Sequence, residues 1–268
     1  MIKSSEIYSF FLNLFRTVNM KKTTFYFLAI LFLASCKDEV VDPPAPIEVD
    51  QLKMTMQPTF GSADLVLDQT YTTDEGYLVQ FTDLKCYITD VANGSSTLCS
   101  SALFDYRANN TVLFTKPGKP ADYSNLTASL GVAASKNHAD PTSFSSSDPL
   151  YITIANDMHW GWNPGYIFMK VEAKVDTIQN GIDNFDHTVV FHIGGDAYLQ
   201  NLQFNSITWN AVGSGMYTRA LKLDMQKFLN NGTESIDLKT EYTSHTGPGQ
   251  EAISLKVIQH LKDAISLY

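Results

Sequence analysis

The chain has 268 residues, with 28 acidic against 19 basic side chains and a net charge of −9. That balance argues against nucleic acid or an anionic lipid surface as a partner, because both are recognised through basic patches. It is compatible with cation binding, and equally with simple solubility.

In chain order, the first informative segment starts at Met20. Lys21 and Lys22 precede an apolar block from Phe25 to Leu33, which ends in Leu33-Ala34-Ser35-Cys36. A cationic start, a short apolar stretch and small residues at the cut form a secretory signal. The block is too short to span a bilayer, which takes about 20 apolar residues. A cysteine directly after the small residues predicts a lipoprotein signal: Cys36 would become the acylated N-terminus, and two or more acyl chains make a stable anchor. Residues 1–19, with an apolar patch from Tyr8 to Phe15, read as lying upstream of the true start. The expected organisation is a signal peptide over 1–35, a lipidated cysteine and tether over 36–50, and one β domain over 51–268. The tether carries Lys37-Asp38-Glu39 and then Pro43-Pro44-Ala45-Pro46, a charged and semi-rigid run. An acidic cluster after the lipidated cysteine resembles the surface-export signal of Bacteroidetes lipoproteins. The expected location is therefore the outer membrane, on the cell surface or the periplasmic face.

Beyond the tether, β-type runs recur at Met54–Phe60, Leu78–Val91, Thr111–Phe114, Tyr151–Ile154, Tyr166–Val175, His187–Ile193, Leu202–Trp209, Met216–Leu223 and Ser235–Tyr242. Asn93-Gly94, Pro117-Gly118, Asn163-Pro164-Gly165, Asn180-Gly181 and Asn231-Gly232 punctuate them. Many strands without alternating helices predict a mainly β protein, an antiparallel β-sandwich. Ile167, Met169, Val171 and Ala173 alternate with Tyr166, Phe168, Lys170 and Glu172, so one face of that strand is core. Ser124–Gly131 reads as a helical turn, and Ala134–Asp148 as a loop too long for a plain connector. Ile253, Val257, Ile258, Leu261 and Ile265 recur near the helical period, predicting a C-terminal amphipathic helix over Glu251–Leu267. Cys86 and Cys99 flank a hairpin around Asn93-Gly94. If that turn sets the register, Cys99 lies nearer Asp90 than Cys86, and whether the two cysteines bond stays open.

Chemistry concentrates in two places, Met158-His159-Trp160-Gly161-Trp162 and a strand holding His187 and His192. Trp160 and Trp162 would share one side of an extended chain and His159 the other. They form either a structural aromatic plug or part of a site. His192, with Val190 on one strand face and Gly194-Gly195 after it, is either a hydrogen-bonded strand histidine or a ligand. Copper(I) asks for few soft or borderline donors in a dry pocket, which imidazole beside an aromatic wall supplies. No four-ligand zinc spacing, carboxylate pair for glycoside cleavage, nucleophile elbow or phosphate cradle is present. The chain is expected not to be an enzyme.

The run from Met158 to Glu172, with Phe191-His192-Ile193-Gly194 some twenty residues later, resembles the MbnP-like copper-binding domain. Leu84-Lys85-Cys86-Tyr87-Ile88-Thr89-Asp90-Val91 resembles an early strand of the same family, with Cys86 where an aromatic residue is usual. The likeness spans about Gln51 to Tyr268. It implies a β-sandwich that holds one copper through histidines and a tryptophan oxidised to kynurenine, the oxidation carried out by a dihaem peroxidase-like partner. Carried onto this chain, the resemblance makes Trp160 or Trp162 the candidate modified residue, His192 the first candidate ligand, His159 the second and His245 the third. The expected function is copper capture or handling by an exported lipoprotein. The alternative is a non-catalytic surface lipoprotein whose Trp160 and Trp162 stack on a glycan or a protein.

Overall fold

A computed structural model of the chain describes residues 49–108, 111–161 and 165–268. Cys36, the signal segment, the tether up to residue 48, Trp162 and the Asn163-Pro164 turn lie outside the described residues. Strands run in chain order as β1 (Gln51–Phe60), β2 (Ala63–Asp64), β3 (Tyr71–Thr72), β4 (Leu78–Asn93), β5 (Ser96–Asp105), β6 (Val112–Pro117) and β7 (Leu126–Leu130). Two short helices follow, α1 (Ala134–Asn137) and α2 (Ile152–Ala155). Then come β8 (Ile167–Asp176), β9 (His187–Gly194), β10 (Gln200–Phe204), β11 (Asn210–Gly213) and β12 (Met216–Asp224). The chain closes with α3 (Met225–Leu229), β13 (Thr243–Ser244), α4 (Glu251–Ala264) and β14 (Ile265–Leu267).

Two sheets result. The smaller runs β11-β12-β1-β2, with β14 on β12 and β6 on β1; the larger runs β10-β7-β4-β8-β9-β13, with β3 and β5 also on β4. The molecule is mainly β with a C-terminal helix, as expected. Its ladders are antiparallel except at β1–β12 and β9–β13, which are parallel and make both sheets mixed. One apolar cluster draws on both sheets, taking Leu52, Met54 and Met56 from β1, Leu221 and Leu223 from β12, and Phe81, Met169, Val171 and Phe191 from the larger sheet. Alternate burial along β1 follows from its two-residue period. In α4 the apolar stripe Val257, Ile258, Leu261 and Ala264 packs into the same core. No helix among the described residues is long and apolar enough to cross a membrane.

Several local expectations give way. Tyr151–Ile154 holds the start of α2, not a strand, because Asp148 turns the chain there: its backbone carbonyl accepts from Tyr151 N and its carboxylate from Leu150 N. Leu126–Leu130 is a strand between β10 and β4 rather than a helical turn; its Leu126, Ala128 and Leu130 are buried at period two. Ser235–Tyr242 is irregular apart from the bridge Asn230–Ser235, held by Asp237, whose backbone carbonyl accepts from the Thr240 and Glu241 amides and whose carboxylate accepts from Thr240 Oγ1. The C-terminal helix ends at Ala264, and Ile265–Leu267 pairs with β12.

The hairpin at Asn93-Gly94 pairs Asn93 with Ser96 and, past a bulge, Val91 with Cys99, while Cys86 faces Phe104. Cys86 and Cys99 are therefore separate, free and buried. Burial pushes the Cys86 thiol up to about 12 and raises that of Cys99 as well. Since the thiolate is the reactive species, neither should be labelled in the folded protein. Peptide mapping after alkylation at neutral pH is expected to find Cys86 and Cys99 unmodified until denaturant is added; labelling of Cys86 on the time scale of an exposed thiol would contradict this burial.

Candidate metal centre on the outer sheet face

The face of β8 turned away from the main core carries an ion cluster. In the antiparallel pairing of β8 with β9, Lys170 lies opposite His192 and Glu172 opposite Val190, so Glu172 is the diagonal neighbour of His192. His192 Nε2 lies 2.8 Å from Glu172 Oε1, which leaves Nδ1 for another partner. Lys170 Nζ donates to Asp157 Oδ2 at 2.6 Å and sits 3.1 Å from Asp83 and 3.4 Å from Glu172. Lys85, next to it across β4, bonds the same Asp157 at 3.0 Å and approaches Asp83 and Asp105. Both lysine side chains are only about a tenth exposed. Burial works against their charge, but the bonds to Asp157 together with the neighbouring carboxylates outweigh it, and both titrate above the ordinary lysine range, Lys170 the more strongly.

His245 arrives from a distant part of the chain. It follows β13, whose parallel pairing sets Ser244 beside Phe191 and so delivers His245 next to His192. The two rings stand edge to face with centroids 4.9 Å apart. Burial, His245 and Lys170 all depress the His192 pKa; Glu172 opposes them without prevailing, so the ring is neutral at neutral pH and keeps a lone pair for a ligand. Its fixed hydrogen bond to a carboxylate is the arrangement that orients metal-bound histidines.

Trp160 comes from the corner before β8. Its backbone N–H donates to Gly165 O at 3.0 Å. The indole lies over Gly194, two residues from His192 on the same strand face. A Cβ at Gly194 would stand 2.9 Å from Trp160 Cζ3 and would collide with Tyr166 O, so only glycine admits this approach. Tyr166, Ile167 and Phe168 belong to a second, smaller cluster with Tyr87, Val132, Leu150, Ala155 and Met158, against which Trp160 packs. A register shift between Ile167 and Met169 turns Ile167 to that side, where simple alternation places it in the main core. Tyr166 Oη donates to Leu150 O, fixing the cluster to the segment before α2.

His159 is turned elsewhere. Its Nδ1 accepts from Gly161 N at 2.8 Å, and its ring packs edge-on against Tyr166 with centroids 4.6 Å apart. Of the expected ligands, the fold thus unites His192 with His245 and sets Trp160 on the same face, while His159 braces the corner. Among the described residues, no group of three or more His, Cys, Asp and Glu side chains is arranged to hold a metal. The donor set is two imidazoles, with the indole over Gly194 further along β9, which fits a soft, low-coordinate ion and not a four-coordinate one.

A family model described as MbnP matches residues 49–246. The chain belongs to the MbnP family. His159, Trp160, His192 and His245 all lie inside the matched span, and α4 lies beyond it. The solved structure of MbnP from Methylosinus trichosporium superposes with a TM-score of 0.51 at 12% sequence identity, covering 82% of this chain and 99% of that one, so the two share a fold. A search of curated proteins gives no match. Within this MbnP chain the residues that sequence reading left unnoticed are Glu172, Lys170, Lys85, Asp83 and Asp157. Alternation places Lys170 and Glu172 on the non-core face, but only the strand register shows that they meet His192.

Two outcomes follow for this MbnP domain. Lys170→Ala should destabilise it by up to about 3 kcal/mol, because removing one cation of a largely buried cluster leaves Asp83 and Asp157 to share Lys85 alone. Adding Asp83→Asn should recover part of that loss, and strictly additive effects in chemical denaturation would contradict the coupling. Gly194→Ala should cost about 1–3 kcal/mol by overpacking and should shift tryptophan fluorescence as Trp160 is displaced.

Proposed function

We propose that this MbnP-family chain is an exported lipoprotein that binds one copper(I) ion for capture or handling, without catalysing a reaction. The observation that carries the reading is the His192–His245 pair, brought to 4.9 Å between ring centroids by two separate strands, with His192 neutral and oriented by Glu172. Copper(I) is satisfied by two imidazoles, and imidazole is among its accepted ligands. His192 and His245 would hold the ion. Bound copper would supply an acceptor for soft donors. Glu172 fixes the ring orientation of His192, and Lys170 in turn anchors Glu172.

Trp160 supports the same reading. It is half-buried, one side covered by Gly194 and the second apolar cluster, which suits the wall of a site better than a stacking platform. The proposal extends to Trp160 or Trp162 as a residue oxidised to kynurenine by a dihaem peroxidase-like partner. The lipobox ending in Cys36 supports an outer-membrane anchor, on the surface or the periplasmic face.

Titrating purified protein with copper(I) in competition with a chelator should give one copper per chain. His192→Ala and His245→Ala should each abolish tight binding, and Glu172→Gln should weaken it by about 10- to 100-fold, as loss of an orienting partner does. A stoichiometry well below one, or full copper retention in His192→Ala, would sink the assignment. Peptides of protein isolated from its native host should show one oxygen-for-carbon exchange at Trp160 or Trp162; unmodified tryptophans at both would remove the kynurenine part alone.

A further inference from the structure

Asp157 lies in a single turn of 3-10 helix, Asn156–Met158, that leads directly into His159 and Trp160. Entry into that turn is strained. Asn156, which ends α2, takes φ 38° with ψ −111°, outside the regions that non-glycine residues ordinarily occupy, and such a conformation persists only where the surroundings impose it. Two side chains of the turn supply the restraint. Met158 is wholly buried in the second apolar cluster. The Asp157 carboxylate is gripped from two strands, by Lys170 Nζ on β8 at 2.6 Å and by Lys85 Nζ on β4, which bonds both of its oxygens at 3.0 Å. Beyond the turn the chain is tied to the start of β8, where His159 bridges Tyr166 and the Trp160 amide donates to Gly165 O.

The lysines have other carboxylates for charge balance. Lys85 lies 3.3 Å from Asp105 and 3.7 Å from Asp83, and Lys170 lies 3.1 Å from Asp83 and 3.4 Å from Glu172. Asp83, Asp105 and Glu172 all stand on strands, so sheet pairing already places them. Asp157 is the member of the cluster that stands on the corner, and its bonds fix where the corner sits. Glycine at 194 gives the Trp160 indole room without gripping it, so whatever holds the ring there acts through the corner. Lys170 also neighbours Glu172, whose Oε1 is 2.8 Å from His192 Nε2. One ammonium group therefore touches both halves of the site, the tryptophan corner through Asp157 and the histidine pair through Glu172.

We propose that Asp157 is a positioning residue: held by Lys85 and Lys170, it sets the corner so that the Trp160 indole lies over Gly194 on the strand that carries His192. Its part in metal binding rests on the reading of this face as a copper site; the placement of the indole does not. Without the carboxylate the strained turn at Asn156 keeps only its apolar anchor, Met158, and the corner opens as a local unit while the sheet stays closed. The sheet tolerates the loss because Asp83, Asp105 and Glu172 still face the two lysines, and because the Asp157 side chain is 39% exposed and leaves no sealed cavity.

The test compares wild-type protein with Asp157→Ala by NMR, both free of metal. Amide hydrogen exchange at Trp160 and Gly161, which bond Gly165 O and His159 Nδ1, should quicken by about tenfold or more, while amides of β8 and β9 keep their wild-type rates. The nuclear Overhauser contact between the Trp160 ring and the Gly194 α-protons should disappear. Asp157→Asn, an isostere without the charge, should show the same pattern in smaller measure and decides the matter if the alanine variant does not fold. Copper(I) affinity in chelator competition should fall by about 2- to 30-fold, the range for a residue that acts through others. Unchanged exchange at Trp160, exchange that quickens equally across the sheet, a retained contact to Gly194, or copper affinity equal to that of the wild type would each overturn the proposal. A wild-type chain that takes up no copper would count against the copper assignment alone, and the exchange and ring contact would still decide the role of Asp157.

Discussion

The outer face of the larger sheet depends on one pairing, that of β8 with β9. Its register decides that Lys170 stands opposite His192 and that Glu172 reaches the His192 ring. The bulge between Ile167 and Met169 then changes which side of the strand is apolar. Up to that point Tyr166, Ile167 and Phe168 fill a small cluster on the outer side; beyond it Met169, Val171 and Ala173 enter the main core. The same strand therefore serves a hydrophobic floor at one end and an ion cluster at the other, and the histidine pair sits at the boundary.

That boundary suits a neutral donor pair. Charged groups surround His192, yet they are paired among themselves: Lys170 with Asp157 and Asp83, Lys85 with Asp157 and Asp105. The lysines remain protonated far above neutral pH and the Asp157 carboxyl is held below its ordinary range, so the cluster contributes stability through the physiological range and loses it as alkaline pH deprotonates the lysines or acid pH protonates Asp157. His192 keeps its lone pair because burial disfavours the charged ring, with Lys170 and His245 adding to that effect.

Much of the strand content was legible because it is local. Alternation in Leu78–Val91 and Tyr166–Val175, the Asn93-Gly94 turn and the helical period from Ile253 to Leu261 are all written within a dozen residues. The hairpin even kept Cys99 away from Cys86, although a bulge sets Cys99 opposite Val91 rather than Asp90. Where the sequence misled, tertiary partners decided. Leu126–Leu130 becomes a strand because β4 and β10 flank it, and Tyr151–Ile154 curls because Asp148 accepts from the Leu150 and Tyr151 amides just ahead of it. The candidate histidines were visible as residue types, but the union of His192 with His245 rests on β13 beside β9, a parallel pairing across some fifty residues that no spacing rule encodes. His159 looked like a ligand from its neighbours Trp160 and Trp162; its actual acceptor, taken up by the Gly161 amide, is a turn-level detail.

The parallel pairing of β1 with β12 has a further consequence. Gln51 meets Met216 and Thr59 meets Asp224, so one flank of the first strand stays an open edge until nearly the whole chain has been delivered. An unfilled edge is a template for the wrong partner, and long-range pairing of this kind slows folding. A chain built this way holds its smaller sheet incomplete until β12 is made, and closes it late, at the seam between its first strand and its twelfth.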